Sequence, residues 1–333
     1  MQGKLTRIEW IDALKGFAIF YVTLGHLGCN ILLEKHIYSF HMFLFFFLSG
    51  YVDKSEDISF KEYLLKRTKR ILIPFIAWNL MSNMVSLSLG NKLINVIQTT
   101  FLLNGEMCWN APIWYLLTIF ITQILYFLLS KVFKIKNIII ISVSLLLWFV
   151  LPQKNIILKL NLIPMVMSFF VMGVEYKNKI ENIVKQYFVN KHVILKYSLL
   201  VIFALVNIYF GVFNNVRIVY TKAVFGNILY TLIGALSGIA VYLILFQRFD
   251  FLGKSKILNF LGRNSLIIMA TQFYFFIFYD LLANFQIHLY RNTVKAFVMC
   301  VATIAFICLI DKILIYIGKR CKAIEKVLSW FGI

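Results

Sequence analysis

The chain has 333 residues, of which 61% are hydrophobic, 17% aromatic and only 14% charged. These proportions exclude an ordinary soluble protein, in which about 25% of residues are charged, and predict an integral membrane protein. The formal net charge of +20 would by itself suggest nucleic-acid binding, but the positions of the basic residues explain it without nucleic acid.

Ten apolar segments are long enough, or nearly long enough, to cross a bilayer, which takes about 20 residues. They cover residues 13–32, 37–52, 71–89, 113–130, 137–151, 161–176, 197–213, 225–246, 265–283 and 296–317. No connection between them is long enough to hold a soluble domain. The sequence therefore predicts an all-α fold, a polytopic membrane helix bundle of about ten transmembrane helices, as a single integral-membrane domain over residues 1–333.

The basic residues indicate which helix ends face the cytoplasm. If the N-terminus is cytoplasmic, 24 of the 34 Lys and Arg residues fall in the inner tails and connections, and eight fall in the outer connections. Inner loops of membrane proteins carry such an excess of positive charge. We therefore expect a multi-pass protein of the cell membrane with both termini in the cytoplasm and with contacts to anionic lipids. We expect no nucleic-acid partner, and self-association into a homo-oligomer is left open.

Polar groups in the first two segments are the candidates for chemistry, because ionisable side chains in lipid are costly and usually functional. Lys15 lies eleven residues before His26, so both point nearly the same way on a helix, about 16 Å apart. Asp12 lies on the same face, about one turn below Lys15. His41, in the second segment, comes to a similar depth. Two such histidines indicate proton chemistry, and hydrogen bonds between helices are the structural alternative.

The five cysteines show no CxxC or other metal-like spacing. We therefore expect no metal site.

Five motifs, in the same order over nearly the whole chain, resemble the acyltransferase-3 family, polytopic membrane acyltransferases that modify bacterial surface and secreted glycans. They are RIEWIDALKGFAIFYVTLGH (7–26), FHMFLFFFLSGY (40–51), KRTKRILIPFIAW (66–78), IWYLLTIF (113–120) and LGRNSLIIMATQ (261–272). The resemblance implies a membrane O-acyltransferase that moves an acyl group from cytoplasmic acyl-CoA, usually acetyl-CoA, to a hydroxyl. The acceptor would be a cell-surface or exported polysaccharide or its lipid-linked precursor. Acetyl-CoA is then a co-substrate, and no cofactor is bound permanently.

The resemblance also implies that His26 is the catalytic base. A hydroxyl is a poor nucleophile until a base removes its proton, and attack on a thioester creates an oxyanion that needs a hydrogen-bond donor. His41, Ser49 or backbone groups could supply that donor. Lys15 either pairs with Asp12 or guides the anionic acyl-CoA.

A cluster of basic residues, KRTKR, begins the third segment. Its charge alone indicates inner-side topology. With the resemblance, we expect Arg67 and Arg70, one turn apart, to clamp the phosphates of CoA, with Lys66 adding positive charge.

Candidate acceptor contacts lie elsewhere in the chain. Trp109 and Trp114 stand at the outer start of the fourth segment, where indole rings suit stacking on sugars, although an interfacial aromatic belt explains them at least as well. Gln272 occupies a position where many relatives have His, so it can form hydrogen bonds but cannot titrate.

Some relatives append an extracellular esterase-like domain. This chain stops at Ile333, and we expect no appended soluble domain.

A proton-coupled glycan transporter or flippase is the alternative function, since its proton pathway would also use intramembrane histidines. It needs no CoA and leaves Arg67 and Arg70 without a ligand. Binding of CoA therefore discriminates between the two functions.

Overall fold

The computed structural model describes residues 8–56, 58–88, 90, 110–151, 153, 156–190, 193–283 and 292–333, without the side chains of residues 185, 187–190, 193–196 and 280–283. The helices, numbered in chain order, are α1 (Glu9–His26), α2 (Ile31–Tyr51), α3 (Phe60–Ser88), α4 (Ala111–Val132), α5 (Asn137–Val150), α6 (Ile163–Glu175), α7 (Glu181–Asn190), α8 (Val193–Val212), α9 (Ile228–Arg248), α10 (Asp250–Gly253), α11 (Lys256–Arg263), α12 (Ser265–Ala283), α13 (Thr293–Arg320) and α14 (Lys322–Trp330).

Six helical stretches in the described part are long and apolar enough to cross a membrane: α2, α3, α4, α9, α13 and the stretch Ile157–Val184, which contains α6. Shorter apolar helices lie at Asn137–Val150, Tyr197–Val212 and Ser265–Tyr279. Outside these helices, the described backbone forms 3₁₀ segments at Ile157–Leu162 and Tyr220–Lys222, a π-helical segment at Tyr176–Ile180, turns, and an isolated bridge between Val219 and Val224. The predicted all-helical fold is confirmed for the described residues, with six stretches that could cross a membrane. The count of about ten spans and the cytoplasmic termini stay predictions.

The chain folds as two compact units, each assembled from three stretches of sequence. The first unit comprises Met1–His41, His192–Asn214 and Leu229–Cys308. The second comprises Met42–Lys191, Asn215–Ile228 and Leu309–Ile333. Because the stretches alternate along the chain, no single cut separates the units. The expected single domain over residues 1–333 stays a prediction.

A tight turn between α1 and α2 positions the histidines of the first unit. α1 ends at His26, and Gly28 takes a φ of 75°, a left-handed conformation that favours glycine. The side chain of Asn30 then accepts a hydrogen bond from the Leu32 N–H at 2.9 Å and caps the start of α2. The predicted segments 13–32 and 37–52 are wrong at this boundary, because hydrophobicity alone hides the stop at Gly28 and the start at Asn30.

The short helix α11 crosses α1 at close range in the first unit. A Cβ atom added to Gly16 would overlap the carbonyl oxygen of Leu258, and one added to Gly262 would overlap that of Asp12. Small residues let helices approach each other closely in membranes. These two glycines therefore let the LGR motif reach the first turns of α1.

Helix α3 begins with a side-chain N-cap and contains a wide turn. The hydroxyl of Ser59 accepts a hydrogen bond from the backbone N–H of Glu62 at 3.3 Å, which fixes the start of the helix. From Thr68 to Leu72 the helix widens into a π-turn, and the α-helix resumes at Ile73. Such turns within helices often mark functional sites, and this one includes Arg70 of the KRTKR cluster.

Aromatic side chains fill the second unit. The Phe43 ring lies 4.6 Å from the Phe169 ring and 6.0 Å from the Trp148 ring, measured between centroids. Phe46 stacks on Tyr115 at 5.3 Å. These contacts attach the second half of α2 to α4, α5 and α6.

Candidate active site

His26 is the last residue of α1, and two aromatic neighbours hold its half-buried ring. The Tyr38 hydroxyl lies 3.2 Å from Nδ1 of His26, and the Phe273 ring stands edge-on with its centroid 5.0 Å away. Tyr38 is itself buried. Either atom can carry the proton of the Tyr38–His26 hydrogen bond, so the contact fixes the orientation of the ring and not its tautomer.

His41 is fixed by the backbone of its own helix. Its Nδ1 lies 2.6 Å from the carbonyl oxygen of Ile37, which can only accept, so Nδ1 carries the proton. In the neutral ring, Nε2 is then the basic nitrogen. Tyr38 contacts this ring too, edge-on, at 5.0 Å between centroids. The first unit thus gathers the two predicted histidines around Tyr38.

Two of the predicted oxyanion donors already use their protons. His41 donates from Nδ1 to Ile37, as described. The Ser49 hydroxyl donates to the Phe45 carbonyl at 2.8 Å and, having a single proton, accepts from the Tyr115 hydroxyl at 2.9 Å. Ser49 can serve an oxyanion only after its hydroxyl rotates, and His41 only through a second proton on Nε2.

Asp12 pairs with a residue of the LGR motif. Its Oδ2 lies 3.5 Å from Nε of Arg263, an ion pair without a directed hydrogen bond to that oxygen. The sequence left open a pairing between Asp12 and Lys15. The structure shows an ion pair between α1 and α11 at Asp12, and Lys15 is half-buried on the next turn of α1. The role of Lys15 stays a prediction.

Gln272 is fully buried on α12, in the same unit as His26. Its Nε2 donates to the Met269 carbonyl at 3.3 Å, while its Oε1 has no hydrogen bond to any described residue. The following residue, Phe273, contacts the His26 ring. Gln272 thus neighbours, along α12, a residue that contacts the candidate base, and its role in binding the acyl acceptor stays a prediction.

In the second unit, Arg67 is held by a carboxylate that the sequence analysis did not single out. Its guanidinium forms an ion pair with Asp53 at 2.5 Å and lies over the Tyr63 ring, 4.7 Å from its centroid. Asp53 also accepts from the Tyr63 hydroxyl at 2.8 Å and from the Ser55 N–H at 3.0 Å. The side chain of Asp53 is only 2% exposed and that of Arg67 17%, so this is a largely buried pair.

Arg70 and Lys66 have different surroundings. Arg70 lies in the π-turn, is exposed, and forms no ion pair with a described residue. Lys66 pairs with Glu62 at 2.7 Å, one turn earlier on the same exposed helix face. Of the three predicted phosphate contacts, Arg70 is therefore the one whose guanidinium is open to a ligand without breaking an ion pair between described residues.

Trp114 is buried within the second unit. Its indole stacks on Tyr220 with centroids 6.0 Å apart and an interplanar angle of 17°, and it meets Phe46 edge-on at 6.1 Å. A sugar would have to displace these rings to stack on it. Trp109, the other predicted acceptor contact, lies outside the described residues.

The sequence analysis missed Tyr38 and Asp53. Tyr38 stands one helical turn before His41, and Asp53 follows the FLSGY motif by two residues. The sequence signal that could have identified these two residues is their position beside the motifs. Neither pairing is local, because His26 and Arg67 are 12 and 14 residues away from their partners.

Comparison with known proteins gives one family. A model described as an acyltransferase domain, Acyl_transf_3, matches residues 8–312. Neither the curated proteins nor the solved structures give a significant match.

Proposed function

The chain belongs to the acyltransferase-3 family, whose model spans residues 8–312, and we propose that it transfers an acetyl group from acetyl-CoA to a hydroxyl of a cell-surface or exported polysaccharide or of its lipid-linked precursor. The observation that carries the proposal is the cluster of His26 and His41 around Tyr38. We place the protein in the cell membrane of a bacterium, with both termini in the cytoplasm.

His26 acts as the general base in this proposal. As the acceptor oxygen attacks the thioester carbon, its proton moves to Nε2 of His26 and the new C–O bond forms. The tetrahedral oxyanion then collapses, the C–S bond breaks, and the sulfur takes the proton from the imidazolium. CoA leaves as a thiol, the ester remains on the acceptor, and His26 is neutral again.

The donor's phosphates meet the basic start of α3. Arg70 makes the direct contact, because its guanidinium is exposed, while Arg67 and Lys66 add positive charge from their pairs with Asp53 and Glu62. Gln272 is a better candidate than Trp114 for contact with the acyl acceptor, because the Trp114 ring is enclosed by Tyr220 and Phe46.

The test uses purified protein in lipid nanodiscs with labelled acetyl-CoA and candidate glycans. Wild type should transfer label, and His26→Gln should lose at least about 100-fold in kcat, the usual contribution of a general base. His36→Gln is the matched control, a second histidine of α2 whose Nε2 lies 3.4 Å from the Tyr242 hydroxyl, and it should transfer label like wild type.

Unchanged transfer by folded His26→Gln would overturn the assignment of the base. Failure of wild type to bind CoA, together with proton-coupled movement of glycan, would instead favour the transporter.

A further inference from the structure

Helix α4 carries a line of hydroxyl-bearing side chains along its length in the second unit. Tyr115, Thr118, Thr122, Tyr126 and Ser130 follow each other at spacings of three or four residues, so they share one face over about 22 Å. All five are buried or half-buried, although α4 is apolar enough to span a membrane. We call these five residues the polar face of α4. Because polar groups within a membrane span are costly, their presence there needs an explanation.

Hydrogen bonds within the protein explain both ends of the polar face. Thr118 donates to the Tyr115 carbonyl at 3.0 Å, and Ser130 donates to the Tyr126 carbonyl at 2.7 Å. The Tyr126 hydroxyl donates to Oδ1 of Asn137 at 3.3 Å. These groups would be satisfied without any ligand.

The middle of the polar face is different. Oγ1 of Thr122 and Oε1 of Gln123, the next residue in the chain, are buried and form no hydrogen bond with any described residue. Thr122 is 0% exposed and Gln123 3%. A buried oxygen without a donor is unfavourable, so a ligand that brings N–H or O–H groups would be favoured at this position.

A cavity of about 310 Å³ lies at the end of α4 that the sequence predicts to be cytoplasmic. Tyr126 and Ser130 of the polar face line it together with Lys131, Lys136 and Lys179. Lys131 is paired with Glu56 at 3.9 Å and Lys179 with Glu175 at 2.7 Å. Lys136 forms no ion pair within the described part of the chain, which leaves the cavity with an excess of positive charge suited to a phosphate.

We propose that the part of the polar face from Thr122 to Ser130, together with Gln123, binds the phosphopantetheine arm of the CoA donor, and that Thr118 lies outside this subsite. The arm has a phosphate at one end, which fits the lysine-lined cavity, and an uncharged chain with amide N–H groups, which would pair with Thr122 Oγ1 and Gln123 Oε1. This inference rests on the proposed function and adds a donor subsite to it.

The experiment compares CoA with adenosine 3′,5′-bisphosphate, which has the nucleotide of CoA and lacks the pantetheine arm. Binding of both is measured calorimetrically to wild type, to Thr122→Val with Gln123→Leu, and to Thr118→Val. The double variant should bind CoA at least about 10-fold more weakly, as expected for lost hydrogen bonds, and should bind the bisphosphate like wild type. Thr118→Val, whose hydroxyl is satisfied by the backbone, should bind both ligands like wild type.

Thermal unfolding of each variant confirms that it is folded. Unchanged CoA affinity in the folded double variant, or an equal loss in Thr118→Val, would overturn the inference while acetyl transfer by wild type upholds the proposed function. If wild type binds no CoA and transfers no acetyl group, the proposed function itself fails.

Discussion

The hydrogen bond between Tyr38 and His26 bears on which nitrogen of His26 can act as the base. If Nε2 is to take a proton, Nδ1 must already carry one, and the Tyr38 oxygen at 3.2 Å is placed to accept it. As the imidazolium forms, this hydrogen bond gains a charged donor and becomes stronger. Tyr38 is then a positioning residue, which acts on the reaction through His26.

Replacing Tyr38 with Phe should therefore lower kcat and leave KM unchanged. A hydrogen bond to a charged group contributes about 1.5–3 kcal/mol, which corresponds to about a 10- to 100-fold loss in rate. Steady-state kinetics with acetyl-CoA measures both constants. Tyr242→Phe removes another hydroxyl that contacts a histidine, His36, and serves as the control with unaltered kcat. A rise in KM at constant kcat would contradict a positioning role.

Arg67 and Asp53 behave as a unit because both side chains are largely buried. Removing one partner of a buried ion pair leaves the other charge uncompensated and costs about 3–5 kcal/mol, whereas removing both costs much less. Arg67→Met should thus destabilise the protein strongly, and adding Asp53→Asn should recover part of the loss. Denaturant unfolding of the single and double variants in detergent measures this.

Arg70, which is exposed and forms no ion pair with a described residue, is the matched control for Arg67. Arg70→Met should leave stability unchanged and weaken binding of adenosine 3′,5′-bisphosphate. If Arg67→Met were as stable as wild type, the pair would have no structural role.

At the scale of the helices, the sequence predicted the apolar elements better than their ends and contacts. Each predicted segment overlaps a helix of the structure, because about 20 apolar residues have few alternatives in a membrane. The end of α1 was missed, since Gly28 and Asn30 lie within an apolar run. The pairing of Asp12 with Arg263 was also missed, because residues 251 positions apart have no local pattern that joins them.

The contact between α1 and α11 depends on residues without side chains. Gly262→Ala should lower the unfolding temperature in detergent, because the added methyl group would overlap the Asp12 carbonyl, and overpacking costs about 1–3 kcal/mol. Gly234→Ala on α9 is the matched control, since its nearest neighbour would be 3.5 Å away, an ordinary contact. Equal unfolding temperatures for both variants would show that α11 does not need this close approach.

At the scale of the whole molecule, the distribution of charge and the length of α9 together make the topology testable. α9 has 21 residues and is therefore about 31 Å long, close to the hydrocarbon thickness of about 30 Å. Asn227 directly precedes it, at the end of the predicted segment 225–246 that the charge distribution places outside, and Phe251, 75% exposed, follows it in a predicted inner connection. If α9 spans the membrane, these two residues lie on opposite sides.

Single cysteines introduced as Asn227→Cys and Phe251→Cys, in a background without the five native cysteines, should react differently with a membrane-impermeant maleimide. We expect labelling of Asn227→Cys in intact cells and of Phe251→Cys only after lysis, because the positive-inside rule places the basic connection after α9 in the cytoplasm. The reverse pattern would invert the topology and put the basic cluster with Arg70 outside, away from cytoplasmic CoA. Labelling of both sites in intact cells would show that α9 does not span the membrane.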